Sequence, residues 1–400
     1  MRKDLSFTLI TLIIYFIIGR AANNPKLMID SSDTSRQITY VKDKDEIGIV
    51  DLKGKIIKQI KDKNTANVSL TWSPDGSSLS YIQSKNDSVY LKIYSSKEDT
   101  IRNICTIKID TLDNLNVPVL KWSKNGKYIY FSDHSGLNMV DLNGKNELLV
   151  HWDAIRDFDL SPDDNIIACT NGDSLFTANL VDHRVDSAST VSYNFDSITK
   201  DKINRLLYLS GLNDILLAAG KNIIVLDVKH NEYRNIYKAS DPIYWIRMDP
   251  ATRNIYYLSG VPTIHRELKK LFDEDMFFYI SYEYYTLLNI TYPIRLNKTG
   301  LMGIGYHRLP TGKMKQRVQG HFDLCKINME GREFEKIESR NETVTSVMPD
   351  LSEDGRYITL ILNKRNSLKK LFIISTENLS RLQLTKKGYN SFPTWRPILK

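Results

Sequence analysis

A chain of 400 residues, 42% hydrophobic and 26% charged, has the composition of a globular protein. Its mean hydropathy of −0.34 excludes a polytopic helical membrane protein. The formal net charge of +8 comes without a run of five or six basic residues, so nothing marks a nucleic-acid arm.

The N-terminus differs from the rest. Arg2 and Lys3 precede an apolar run from Leu5 to Ile18, and Gly19-Arg20-Ala21 follows. This is the order of a secretory signal peptide over residues 1–21, with cleavage expected after Ala21. An uncleaved anchor is the alternative, but about 14 apolar residues are short for a bilayer span, so no membrane span is expected after cleavage. A polar linker, 22–36, leads into one domain over 37–400. Cys105, Cys169 and Cys325 form no CxxC and are too few for a disulfide framework. They read as mostly buried free thiols, with room for one chance bridge. Sequons at Asn67, Asn86, Asn289, Asn297, Asn341 and Asn378 are what an Asn-rich chain produces by chance.

Strands follow in chain order. Residues 37–41, 46–52 and 55–60 make a group of three, with the turn VDLKGK between the last two. The next unit opens with VSLTWSPDGSSLSYI: alternating apolar residues, a turn at Ser73-Pro74-Asp75-Gly76, then a second strand. Residues 89–94 and 101–107 complete four strands. A third unit, VPVLKWSKNGKYIYFSD with NMVDLNGK, repeats both features, and IRDFDLSPDDNIIACT opens a fourth. RLLYLSGLNDILLAAG is a degenerate fifth. A sixth starts at IYWIRMDPATRNIYYLSG, with its outer strands expected at 277–283 and 285–290. YPIRLNKTGLMGIGYH and FDLCKINMEGREFEKI read as a seventh, and VMPDLSEDGRYITLIL opens an eighth. The chain ends in SFPTWRP, one inner strand that supplies what the first group lacks.

Such a repeat predicts an all-β fold, a single β-propeller of four-stranded blades closed by pairing the C-terminal inner strand with the N-terminal strands. Inner strands are expected at Trp72, Trp122, Leu160, Leu207, Met248, Leu296, Leu351 and Trp395. The spacing, about 46 residues per step, gives eight blades, with seven the alternative. The pairing of x-W-S-P-D-G with a later Φ-x-x-D-x-x-G hairpin (Φ apolar) resembles the TolB-type, WD-repeat-like propeller units of secreted bacterial proteins. The resemblance implies a propeller scaffold in a secreted or periplasmic protein. The separate N-terminal domain of TolB has no room here, so its role in envelope assembly is not carried over.

No GxSxG, HExxH, Walker loop or post-strand GxGxxG is present, so no catalytic residue, cofactor or metal is assigned. His134, His151, His307 and His321 fall near one face, where some propeller lyases build metal sites, but no spacing identifies one. Trp72, Trp122 and Trp395 are expected to pack between blades rather than stack on a ligand.

The leading expectation is a monomeric, non-catalytic scaffold that binds a protein, peptide or glycan partner. A polysaccharide-lyase-type enzyme and a sensor or accessory module of an envelope complex are the alternatives. Two long connections are the candidate contact surface. Residues 261–275 carry Ile264, Leu268, Leu271 and Phe272 at helical spacing, with His265 and Lys269 among them. Residues 310–320 carry Lys313, Lys315 and Arg317, just after Arg308, with no acidic residue. Read as B-to-C connections of consecutive blades, they predict a basic rim for an acidic partner.

Overall fold

The computed structural model describes residues 35–398, apart from 86–87, 108–117, 153–154, 182–183, 187–189, 195–200, 210–213, 265–317, 341–347 and 365–367. The expected signal sequence and nearly all of the expected linker lie outside the described residues.

Every described element is a strand. Blade 1 starts with β1 (Gln37–Lys42), β2 (Glu46–Asp51) and β3 (Ile56–Lys61). Blade 2 is β4 (Ala66–Trp72), β5 (Ser78–Lys85), β6 (Ser88–Ser95) and β7 (Thr100–Ile107). Blade 3 is β8 (Leu120–Trp122), β9 (Tyr128–Asp133), β10 (Gly136–Asp141) and β11 (Asn146–His151). Blade 4 has β12 (Asp157–Leu160), β13 (Ile166–Thr170) and β14 (Ser174–Val181), whose outer edge pairs with both β15 (Arg184–Val185) and β16 (Val191–Asn194). Blade 5 is β17 (Ile203–Tyr208), β18 (Asp214–Ala219), β19 (Asn222–Asp227) and β20 (Glu232–Lys238). Blade 6 is β21 (Ile243–Met248), β22 (Ile255–Ile264), β23 (Val318–Ile327) and β24 (Glu335–Arg340). Blade 7 is β25 (Asp350–Leu351), β26 (Tyr357–Lys364), β27 (Leu368–Ser375) and β28 (Arg381–Gln383). The last strand, β29 (Asn390–Trp395), pairs antiparallel with β1 through Ile38↔Trp395 and becomes the inner strand of blade 1.

The propeller therefore has seven blades, the alternative count, and not eight. The error lies in the expected sixth and seventh units. β22 pairs directly with β23, from Ile255↔Ile327 to Ile264↔Val318, so FDLCKINMEGREFEKI supplies the outer half of blade 6. The expected strands at 277–283 and 285–290 and the inner strand at Leu296 fall within 265–317, outside the described residues. The two long connections are consequently one connection of one blade, and residues 261–264 and 318–320 belong to its strands. An aromatic-rich insertion has the same local strand propensity as a blade, and only the pairing tells them apart.

Middle strands are buried on both faces, as in β5 and β18, which explains their near-continuous apolar runs. The described core divides into seven clusters, one at each interface between neighbouring blades. In β5, Leu79 and Tyr81 enter the blade 1–2 cluster while Ile82 enters the blade 2–3 cluster, following the two-residue period of a strand.

Two turns recur for a stated reason. After each inner strand of blades 2, 3, 4 and 7 a serine caps the turn. Its amide donates to the carbonyl five residues on, its hydroxyl accepts that residue's N–H, and its Oγ donates to an Asp or Asn two residues on. This is the physical content of W-S-P-D-G. In the D-x-x-G hairpin, Asp51 Oδ1 accepts the amides of Lys53 and Lys55 while the Gly54 amide donates to the Asp51 carbonyl. Asp141 and Asn328 repeat it. Gly54 and Gly331 have φ of 77° and 73°, and a Cβ on either would lie 2.5 and 2.1 Å from a carbonyl of the preceding blade.

Two arginines flank the closure. Arg36 forks onto Asp354 of blade 7 at 2.9 and 2.5 Å. Arg396, just past β29, reaches the Gly76 carbonyl at 2.7 Å, Gln37 Oε1 at 2.7 Å and Ser96 Oγ at 2.8 Å, with its guanidinium over the Trp72 ring.

Candidate functional site

Inner strands present alternate residues to the propeller axis, so the residues one and three places before each strand-ending Trp or Leu share one face. The turn hydrogen bond fixes the alignment. Leu209 N–H donates to the Asp214 carbonyl just as Ser73 N–H does to that of Ser78, so Tyr208, not Leu207, stands where Trp72 does. Three places back stand Ser69, Val119, Asp157, Arg205, Trp245, Met348 and Phe392, and all seven line one axial cavity of about 300 Å³. Thr71, Lys121, Arg247, Asp350 and Thr394, one place back, line it as well.

The wall is divided by charge. Blades 3 to 6 contribute one cation each, Lys121, Arg156, Arg205 and Arg247, against the carboxylates Asp157 and Asp350. Blades 7 and 1 contribute Met348-Pro349 and Phe392-Pro393. The carboxylates are engaged by the fold itself. Asp157 Oδ2 accepts the Leu206 amide at 3.0 Å and Oδ1 that of Phe158 at 3.1 Å. Asp159, one place before Leu160, accepts the Tyr208 amide at 2.9 Å and holds Lys121 Nζ at 2.7 Å. Asp350 accepts the Trp395 amide at 3.1 Å and lies 3.9 Å from Arg247 Nε. Burial raises the Asp350 carboxyl, and Arg247 and the Trp395 amide oppose that without cancelling it.

Arg156 donates to Asn204 Oδ1 at 3.3 Å, and a Cβ on Gly172 would come within 3.0 Å of its guanidinium carbon. The Arg205 side chain makes no hydrogen bond or ion pair among the described residues. The opposite arc is strained. Ser69, Met348 and Phe392 have φ of 53°, 39° and 48°, and they occupy one aligned position in three consecutive blades. A left-handed residue other than glycine costs about 1–2 kcal/mol, and two of these precede proline, which narrows their freedom further. The strain is held by Phe392 N–H to Met348 Sδ at 3.2 Å and by Ser69 Oγ to the Pro118 carbonyl at 2.6 Å.

The residues singled out from sequence fare differently. His265, Lys269, Arg308, Lys313, Lys315 and Arg317 lie outside the described residues, as does His307. His134 and His151 sit exposed on blade 3, while His321 is on blade 6 beside Asp323, so the ring keeps His321 from the other two. Among the described residues no three His, Cys, Asp or Glu side chains cluster as a metal set.

The tryptophans pack between blades as expected. Trp72 Nε1–H donates to Thr39 Oγ1 at 2.9 Å, Trp122 to Ser80 Oγ at 2.9 Å, and Trp395 to the Asp350 carbonyl at 3.2 Å. The cysteines are free, one on each of blades 2, 4 and 6, and burial pushes Cys105 and Cys325 up to about 11. Asn67 is buried and bonded to Lys44 and Gln83, closing that sequon. The cavity arginines escaped sequence reasoning. The available signal was a charge one, three or four places before the strand-ending residue in blades 3 to 6, readable only once the blades are aligned.

Solved structures resemble this chain in fold at low sequence identity. TolB from Acinetobacter baumannii is 13% identical, with 91% of this chain and 67% of that chain covered and a TM-score of 0.49. A candidate 6-phosphogluconolactonase from Bacteroides uniformis is 10% identical, with 90% and 99% covered and a TM-score of 0.52. No protein-family model matches the chain, and no curated protein matches it. At these identities the likeness is one of fold alone, and the seven sheets closed by β29 on β1 define the class, a β-propeller protein. Among the described residues no helix is long and apolar enough to cross a membrane.

Proposed function

We propose that this chain is an exported, non-catalytic β-propeller that binds a partner at its axial cavity. One observation supports the reading above the others. All seven inner strands contribute to a single cavity, and its wall joins four cations to a strained apolar arc. A structural plug would be filled with packed apolar side chains, whereas here an unpaired arginine faces an open space of about 300 Å³. Rigid rings place recognition at such openings.

In-cell crosslinking tests this, with p-benzoylphenylalanine replacing Thr394 at the cavity wall. A discrete crosslinked partner is expected in the exported fraction, lost when Arg205→Glu and Arg247→Glu are combined. N-terminal sequencing of the same material should begin at Ala22. A crosslinking pattern indifferent to the two arginines overturns the site, and intact Met1 in the membrane pellet overturns the export.

A further inference from the structure

We infer that the axial cavity takes an apolar chain ending in a single carboxylate, with the carboxylate on Arg205 and Arg247 and the apolar end against Met348, Pro349, Phe392 and Pro393. The inference rests on the binding reading above and gives it a ligand chemistry.

Charge sets the valence. Lys121 is held by Asp159 and Arg156 by Asn204, which leaves Arg205 without a partner and Arg247 only 3.9 Å from Asp350 with one short donor bond, to its neighbour's carbonyl at 3.2 Å. Two guanidinium groups on adjacent blades suit one planar carboxylate, which accepts paired N–H donors side by side. Asp157 and Asp350 stand in the same wall and repel a second negative charge, which disfavours a phosphate dianion.

The opposite arc sets the other end. Two prolines, a methionine and a phenylalanine offer no donors from their side chains, so a polar sugar there would lose its water without replacement. Trp245, Tyr244 and Leu258 continue the apolar surface toward the arginines. A volume of about 300 Å³ lies at the small end of ligand pockets and fits the last one or two residues of a peptide, or a free aryl or alkyl acid. Both sources share the same chemistry: an apolar body and one carboxylate.

The test titrates the full exported chain with four probes. They are a random acetyl-tetrapeptide library with free C-termini, the same library amidated, 3-phenylpropionate, and phenyl phosphate. The free-acid library should yield binders at least about tenfold tighter than the amidated one, and Arg205→Gln should abolish the difference. Because the Arg205 side chain makes no bond among the described residues, that variant should melt like the wild type, so lost binding reports on the site. Binding of 3-phenylpropionate as tight as the best peptide assigns the site to a free small acid, and weaker binding assigns it to a polypeptide C-terminus. Equal binding of acid and amide, tighter phenyl phosphate, or no binder in any arm overturns the inference. If the Thr394 crosslink persists under those outcomes, the partner-binding reading stands and only the carboxylate chemistry falls.

Discussion

Side-chain pairing across blade interfaces is where single residues matter. Each tryptophan that ends an inner strand follows a blade whose second strand carries a buried hydroxyl at the facing position: Thr39 for Trp72, Ser80 for Trp122 and Thr359 for Trp395. Where the preceding blade has Tyr130, Leu216 or Tyr256 instead, the next inner strand ends in Leu160, Met248 or Leu351. An indole N–H taken from water needs an acceptor: the Thr39 and Ser80 hydroxyls supply it to Trp72 and Trp122, while Trp395 and Thr359 both donate to the Asp350 carbonyl. Trp122→Phe should cost about 1–2 kcal/mol in urea unfolding. Combined with Ser80→Ala, the loss should fall short of the sum by at least about 0.5 kcal/mol, and strict additivity would deny the bond a role.

Asp354 gives a pH signature at the same scale. Burial alone would raise its carboxyl, but hydrogen bonds from Arg36 and Ser352 outweigh burial and hold it below the usual carboxylate range. A carboxyl lower in the folded state stabilises above its unfolded value, near 4, and loses that contribution as pH falls through the folded value. Asp354→Asn should therefore be less stable than wild type at pH 7 by about 1–3 kcal/mol. The gap should close as pH falls below about 4, and a gap constant from pH 7 to 3 would exclude the ion pair as its source.

At the scale of elements, the D-x-x-G hairpins do more than reverse the chain. Gly331 and Gly54 sit against carbonyls of Ile236 and Leu384, each in the blade before their own, so these turns seat neighbouring blades on one another. Gly331→Ala meets both a left-handed φ and a backbone contact that cannot rotate away. Its cost should exceed the ~1 kcal/mol of the conformation alone, reaching about 2–4 kcal/mol by chemical denaturation. A loss under about 0.5 kcal/mol would mean that the blades can part there freely.

For the whole molecule, seven interfaces hold seven blades in a closed ring, and Arg36 and Arg396 tie the closing blade to both neighbours. Blade 6 is complete without residues 265–317, because Ile264 and Val318 face each other across β22 and β23. Replacing 265–317 by Asn-Gly, the two-residue turn suited to facing strands, should give a cooperatively folded protein whose melting temperature lies within about 5 °C of the parent. An eight-bladed ring would lose a blade and its closure by that deletion, so failure to fold would restore the larger count.

The sequence by itself determined the all-β class, the four-stranded repeat, the turns and the closing role of Trp395. Each is written in local chemistry: a two-residue apolar period, a serine-capped turn, a glycine that alone tolerates its φ. Blade number was decided by tertiary structure, since 277–290 has the composition of strands and only the β22–β23 register shows that blade 6 is complete without it. The cavity was decided there too. Lys121, Arg156, Arg205 and Arg247 lie far apart in the chain and look like ordinary surface charges. What makes them a site is the ring closure that turns seven separate strand faces toward one axis, where low dielectric and shared space couple groups that sequence distance keeps apart.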